Sequence, residues 1–200
     1  MSDVNILSTK RTWLQIAADA VGRAFGWRVD VDPALPRKCV VVGAPHTSNM
    51  DLIAGFLMML SAPIRLHWLG KDSLFWFPVG YLFKATGGIP VNRRERTNFV
   101  AQMIDLFEKR DTLRLIIAPM GTRKKTDHWK TGFYHIAVAA NVPLAFGYVD
   151  YGRKVVGISR GFVPTGDIEA DMERIREFYA DIQGKYPEKQ SDIRLNPKRR

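Results

Sequence analysis

Residues 39–51 read Cys39-Val40-Val41-Val42-Gly43-Ala44-Pro45-His46-Thr47-Ser48-Asn49-Met50-Asp51. Val40 to Val42 is a continuous β-branched run, the pattern of a strand buried on both faces in a parallel sheet. Thr47 to Asn49 offers helix N-cap residues. Asp51 then falls in the first turn of a helix running to about Leu60, where the helix dipole favours a carboxylate. A histidine between a strand end and a helix start, with an aspartate five residues on, is a base with a partner. Imidazole takes up a proton near neutral pH, and a carboxylate fixes its tautomer and stabilises the imidazolium that forms.

Further strands are expected at Ile64–Leu69, Ile89–Asn92, Leu113–Ala118, Pro143–Asp150 and Lys154–Ser159. Helices are expected at Thr97–Lys109, Phe133–Ala140 and Ile168–Tyr179. Alternation of strand and helix predicts an α/β domain, with a mostly parallel or mixed central sheet flanked by helices. The segment from Asp30 to Lys38, with Pro33 and Pro36, reads as a loop or short edge segment. The chain divides into an N-terminal amphipathic helical element (1–30), the α/β domain (31–190) and a basic tail (191–200).

From Thr12 to Trp27, Trp13, Ile16, Ala17, Ala20, Val21, Ala24 and Phe25 fall at helical spacing. Two readings stay open: a helix packed on the core, or an interfacial helix dipping Trp13, Phe25 and Trp27 into lipid. The aromatic run Phe75, Trp76, Phe77, Tyr81 and Phe83 is read as mixed, some rings buried and some facing a membrane.

The 200 residues carry a formal net charge of +10. That balance favours a polyanionic surface or substrate: nucleic acid, anionic lipid or a phosphorylated compound. No recognised nucleic-acid motif accompanies the charge, so nucleic acid is not the expected partner. No apolar stretch reaches the ~20 residues that span a bilayer, and the N-terminus lacks a signal-peptide pattern. Peripheral association with the cytoplasmic side of a membrane is the expectation. The single cysteine, Cys39, lies in the strand pattern and reads as a small buried hydrophobe. His67, His128 and His135 match no common zinc spacing, and no G-x-S-x-G elbow is present, so neither a metal site nor a serine hydrolase is expected.

Two later segments extend the site. Gly87-Gly88-Ile89-Pro90-Val91-Asn92-Arg93 ends in a cluster with Arg94 and Arg96. Pro119-Met120-Gly121-Thr122-Arg123 follows a strand and leads into Lys124 and Lys125. Each offers guanidinium groups to an anion, and a glycine lets a backbone N–H approach it.

In this order the chain resembles the lysophosphatidic acid acyltransferase family of glycerolipid acyltransferases, over roughly Val40 to Asp150. His46 and Asp51 match the family's H-x4-D motif. Lys71, Pro78 and Gly80 resemble the segment that follows it. Gly88 to Arg93 looks like the second motif, Gly121-Thr122-Arg123 like the end of E-G-T-R, and Val142-Pro143 like the fourth.

The resemblance implies acyl transfer from a thioester, acyl-CoA or acyl carrier protein, to a hydroxyl of a lysophospholipid or related acceptor. His46 would be the general base and Asp51 its partner. Arg93, Gly121, Thr122 and Arg123 would hold the acceptor's phosphate. No metal or other cofactor is implied. Met120 departs from the pattern, standing where the family has glutamate, and a thioether neither carries charge nor accepts a strong hydrogen bond. A different acceptor, a weakened enzyme, a non-catalytic lipid-binding relative and a replacement peculiar to this sequence all remain open.

Overall fold

The structure, a computed structural model, describes residues 12–91 and 99–197. Its centre is a seven-stranded sheet made of β1 (Arg28–Val31), β2 (Lys38–Gly43), β3 (His67–Lys71), β4 (Gly88–Val91), β5 (Leu113–Ile117), β6 (Leu144–Asp150) and β7 (Val155–Arg160). The strand order is β1-β7-β6-β2-β5-β3-β4. Every neighbouring pair is parallel except β6 and β7, which run antiparallel. The mixed α/β sheet expected from the alternation of elements is therefore present.

β2 lies at the centre, paired on one side with β5 and on the other with β6. Its alternate residues enter two separate cores, which explains why the strand is apolar throughout. Val40 and Val42 face a core built with α4 (Phe99–Glu108), α5 (Gly132–Ala139) and α6 (Ile168–Tyr179). Cys39 and Val41 face the second core, which α2 (Met50–Ser61) covers. Burial pushes the Cys39 thiol up to about 12, as suits a packed, unreactive group.

Arg28–Val31 forms the edge strand β1, paired in parallel with β7, so the start of the segment expected as a loop or short edge segment takes the edge form. An element that the sequence reading did not place is α3 (Val79–Ala85), a short helix inside the aromatic run. In that run Phe75 and Phe83 cluster with Trp68, whereas Trp76, Phe77 and Tyr81 are exposed. The run is mixed, as its composition suggests.

α1 (Trp13–Ala24) starts with a capping box. Thr12 Oγ1 accepts from Gln15 N–H, and Gln15 Oε1 accepts from Thr12 N–H. It ends with Gly26 at φ +79°, a left-handed residue that glycine adopts without steric cost. Gly26 N–H donates to Arg23 O and Trp27 N–H to Gly22 O, the paired closure of a Schellman motif. The side of α1 that packs inward is polar and small, with Asp19 and Gly22 buried and Gly22 against Leu57 of α2. Trp13, Ile16, Val21 and Phe25 are each more than half exposed. Much of the stripe that periodicity marks as apolar therefore points away from the core, while α1 packs on α2 through its polar and small side and Trp27, just beyond the helix, packs inward against Tyr151. Among the described residues no helix is long and apolar enough to cross a membrane.

Candidate active site

The parallel strands β2 and β5 deliver their following loops to the same edge of the sheet, the place where α/β sheets gather ligands. Tyr179 of α6 pins this edge: its hydroxyl donates to Val42 O at 2.6 Å and lies 3.2 Å from Gly147 O. His46 follows β2 by three residues, after a cis Ala44–Pro45 peptide bond.

His46 Nδ1 lies 3.0 Å from Asp51 Oδ2. The same carboxylate oxygen accepts from Thr47 N–H and Ser48 N–H, each at 2.9 Å. Asp51 Oδ1 accepts from the Tyr151 hydroxyl, also at 2.9 Å. The carboxylate thus gathers four donors, three on Oδ2 and one on Oδ1. Burial alone would raise the Asp51 carboxyl. The hydrogen bonds from His46, Ser48 and Tyr151 outweigh it and hold the group below the usual carboxylate range.

An ionised Asp51 makes Nδ1 the protonated nitrogen of a neutral His46 and leaves Nε2 with its lone pair. The imidazole side chain is 31% exposed and Asp51 only 6%. The ring therefore reaches the cleft while its partner is shielded from water, the arrangement a general base requires.

The helix start differs in detail from expectation. Asn49 is the N-cap residue but its side chain makes no capping bond, and Ser48 Oγ accepts from Met50 N–H instead. Asp51 does lie in the first turn of α2. There it reaches back to the amides of Thr47 and Ser48, which precede the helix.

Gly121, Thr122 and Arg123, in the loop after β5, line one continuous cleft with His46 and Asp51. All three are exposed, and Gly121 adopts a left-handed φ of +67°. Lys130 also lines this cleft, and its Nζ lies 2.9 Å from where a Cβ on Gly121 would stand. Arg93 lies outside the described residues. The cleft has an apolar wall from Leu52, Phe56 and Met59 of α2, together with Leu74 and Phe99.

Met120 is buried in the core beside Trp129, and both line a small cavity with His46. Trp129 Nε1 is buried without a hydrogen-bond partner among the described residues. The segment 189–193 closes the cavity's other side through Lys189, Gln190, Ser191 and Ile193. Part of the basic tail thus packs on the site. Ser191 Oγ accepts from Thr126 N–H at 2.8 Å, and Trp129 N–H donates to Arg194 O at 3.0 Å.

Tyr151 is the site residue that sequence reading missed. It is 100 residues from Asp51, and nothing in the local pattern marks it. The order of strands brings them together, because β6 is the direct neighbour of β2.

The acyltransferase family model matches residues 28–146. The chain is 32% identical over 108 residues to the 1-acyl-sn-glycerol-3-phosphate acyltransferase of Escherichia coli, covering 50% of this chain and 42% of that protein. It is 27% identical over 166 residues to the enzyme of that name from Salmonella typhimurium, covering 75% of this chain and 66% of the relative. It is 32% identical over 130 residues to human 1-acyl-sn-glycerol-3-phosphate acyltransferase beta, covering 60% and 45%. The chain thus spans 42% to 66% of the length of these relatives.

The crystal structure of the 1-acyl-sn-glycerophosphate acyltransferase of Thermotoga maritima shares the fold. Its TM-score is 0.51 at 22% identity, over 83% of this chain and 75% of that one. With more than half of its length matched by the family model, the chain belongs to the acyltransferase family.

Proposed function

We propose that this protein transfers a fatty acyl group from a thioester, acyl-CoA or acyl carrier protein, to a hydroxyl of a lysophospholipid-like acceptor. The observation that carries the reading is the His46 Nδ1 to Asp51 Oδ2 contact of 3.0 Å at the mouth of the cleft. His46 Nε2 removes the proton of the acceptor hydroxyl as its oxygen attacks the thioester carbonyl. Asp51 holds the ring and stabilises the imidazolium. Collapse of the tetrahedral intermediate expels the thiolate, which takes the proton back from His46, giving an ester and a free thiol. Gly121, Thr122, Arg123 and Arg93 hold the acceptor's phosphate. The apolar wall of α2 takes an acyl chain. The reaction needs no metal or other cofactor.

The names of the relatives make 1-acylglycerol-3-phosphate the first acceptor to try. The exposed apolar faces of α1 and of residues 76–82 support work at an anionic membrane surface on its cytoplasmic side, with the net charge of +10 adding attraction. The deciding experiment incubates purified protein with acyl-CoA or acyl carrier protein and mixed lysophospholipids, and follows products by mass spectrometry. A new acylated lipid that disappears in His46→Ala is the expected result. The absence of any His46-dependent product defeats the reading.

Met120 supports a second reading, a weakened or non-catalytic lipid-binding relative. Its thioether is buried where the family has a carboxylate. Under the first reading Met120→Glu leaves the main product unchanged or alters the preferred acceptor. Under the second, measurable acyl transfer appears only in that variant.

A further inference from the structure

Tyr151 follows β6 directly and reaches Asp51 from the side opposite His46. Its hydroxyl donates to Asp51 Oδ1 at 2.9 Å, while His46, Thr47 and Ser48 all crowd Oδ2. Burial and the hydrogen bond to Asp51 push the phenol's ionisation far up, so at neutral pH the hydroxyl keeps the proton that it donates to the carboxylate.

Three donors on one oxygen fix that oxygen's position and leave the carboxylate plane free to swing about it. A donor on the second oxygen removes that freedom. The Nδ1 to Oδ2 bond is directional, so the plane of the carboxylate decides whether the imidazole is held in one orientation and one tautomer.

Two contacts hold Tyr151 in turn. Its backbone N–H donates to Gln183 O at 2.8 Å. Its ring meets the Trp27 ring at 89°, with centroids 5.1 Å apart, an edge-to-face arrangement. Trp27 is set by the Schellman closure of α1, through its own N–H on Gly22 O. A short line of contacts therefore runs from the end of α1 through Trp27 and Tyr151 to the carboxylate. Tyr151 lies beyond residues 28–146, the stretch the family model matches.

We propose that Tyr151 is a positioning residue of the site, locking the Asp51 carboxylate so that His46 keeps a single productive orientation, with Trp27 as its brace. Its consequence for rate rests on the acyl-transfer reading above. Its consequence for the imidazole does not.

Tyr151→Phe in the full chain tests this, since it keeps the ring against Trp27 and removes only the hydroxyl. A hydrogen bond to a charged group is worth enough to predict a fall in kcat of roughly tenfold or more. KM for acyl-CoA and for 1-acylglycerol-3-phosphate is expected to stay within about twofold, because Tyr151 is not one of the residues that line the cleft. The nitrogen NMR signals of the His46 ring change from one Nδ1–H tautomer to a mixture, a signature that a merely structural tyrosine would not produce. Trp27→Leu, which keeps the hydroxyl and loosens its brace, gives a smaller change of both kinds and serves if the phenylalanine variant does not fold. Unchanged kcat together with a single tautomer in a folded variant overturns the proposal. If the wild-type protein makes no acylated product, the acyl-transfer reading falls, and the tautomer spectra still decide the role of Tyr151.

Discussion

Asp51 and Asp171 are two buried aspartates built on one plan. Each stands in the first turn of a helix, α2 or α6, and each accepts from a distant tyrosine hydroxyl and from the backbone of the preceding loop, two N–H groups on Asp51 and one on Asp171. Asp171 Oδ2 takes Tyr134 OH at 2.8 Å and Thr165 N–H at 2.7 Å, and Gly166 N–H donates on to the same tyrosine. Among the described residues its other oxygen is buried with no hydrogen-bond partner, and Arg174 Nη1 forms an ion pair with it at 3.8 Å. A carboxylate at a helix start that gathers loop amides is thus a structural device in this fold, used twice. What separates Asp51 is a second amide and an imidazole whose ring lines the cleft, and the proposed reaction uses that imidazole as the base and Asp51 as its orienting partner.

The largest effects should fall on one side of this pair only. His46→Ala is expected to lower acyl transfer by about 10²–10⁴-fold, the usual worth of general base assistance. Asp51→Asn should cost a similar order. Its amide N–H₂ can donate to Nδ1, which favours the tautomer protonated on Nε2 and removes the base. Thiol release from acyl-CoA, followed with and without acceptor, measures both. Residual activity near wild type in either variant would make Asp51 a second Asp171, a clamp and nothing more.

Asp171→Ala should show the reverse pattern. The tyrosine hydroxyl and Thr165 amide lose their buried acceptor, which predicts a loss of roughly 1–3 kcal/mol of stability in urea denaturation. Turnover per folded molecule should stay at the wild-type level, because Asp171 faces the core under α5 and α6. A loss of turnover in the folded fraction would break the distinction drawn between the two carboxylates.

Much of this was legible in the sequence, and for physical reasons. β2 is buried on both faces, so its residues are uniformly apolar and its end is easy to place. His46 and Asp51 are close along the chain, so one strand end and one helix turn suffice to bring them together. The partners of each aspartate were hidden because they arrive through the order of strands and the packing of helices. Tyr151 comes from β6 and Tyr134 from α5, 100 and 37 residues away respectively. The direction of α1 was hidden for a related reason. Periodicity locates an apolar stripe, but Gly22 packing on Leu57 decides which side turns inward, and it turns the polar side.

The smallest expected effect concerns acid, and it tests the Asp51 side from stability rather than rate. The folded protein holds the Asp51 carboxyl below its ordinary value of 3.8, burial being outweighed by His46, Ser48 and Tyr151. In the unfolded chain the group returns to the ordinary range, near ~3.9. The unfolded state therefore binds the proton more readily, so stability drains away as pH falls. The Asp51 contribution is complete above the ordinary value and is lost as pH drops through the lower, folded one. Asp150 is depressed in the same direction: burial raises it, and its hydrogen bonds with Arg153 more than offset the increase. Wild-type protein alone would mix the two. The difference in urea midpoint between wild type and Asp51→Asn cancels Asp150 and leaves Asp51 together with the imidazole it contacts. Below about pH 4, as Asp51 takes up its proton, that difference should shrink. A difference that stays flat to the acid limit would mean that the four donors around Asp51 hold its position without favouring its charge. Asp51 would still stand ionised beside His46 at neutral pH, and its worth to the site would then rest on position alone.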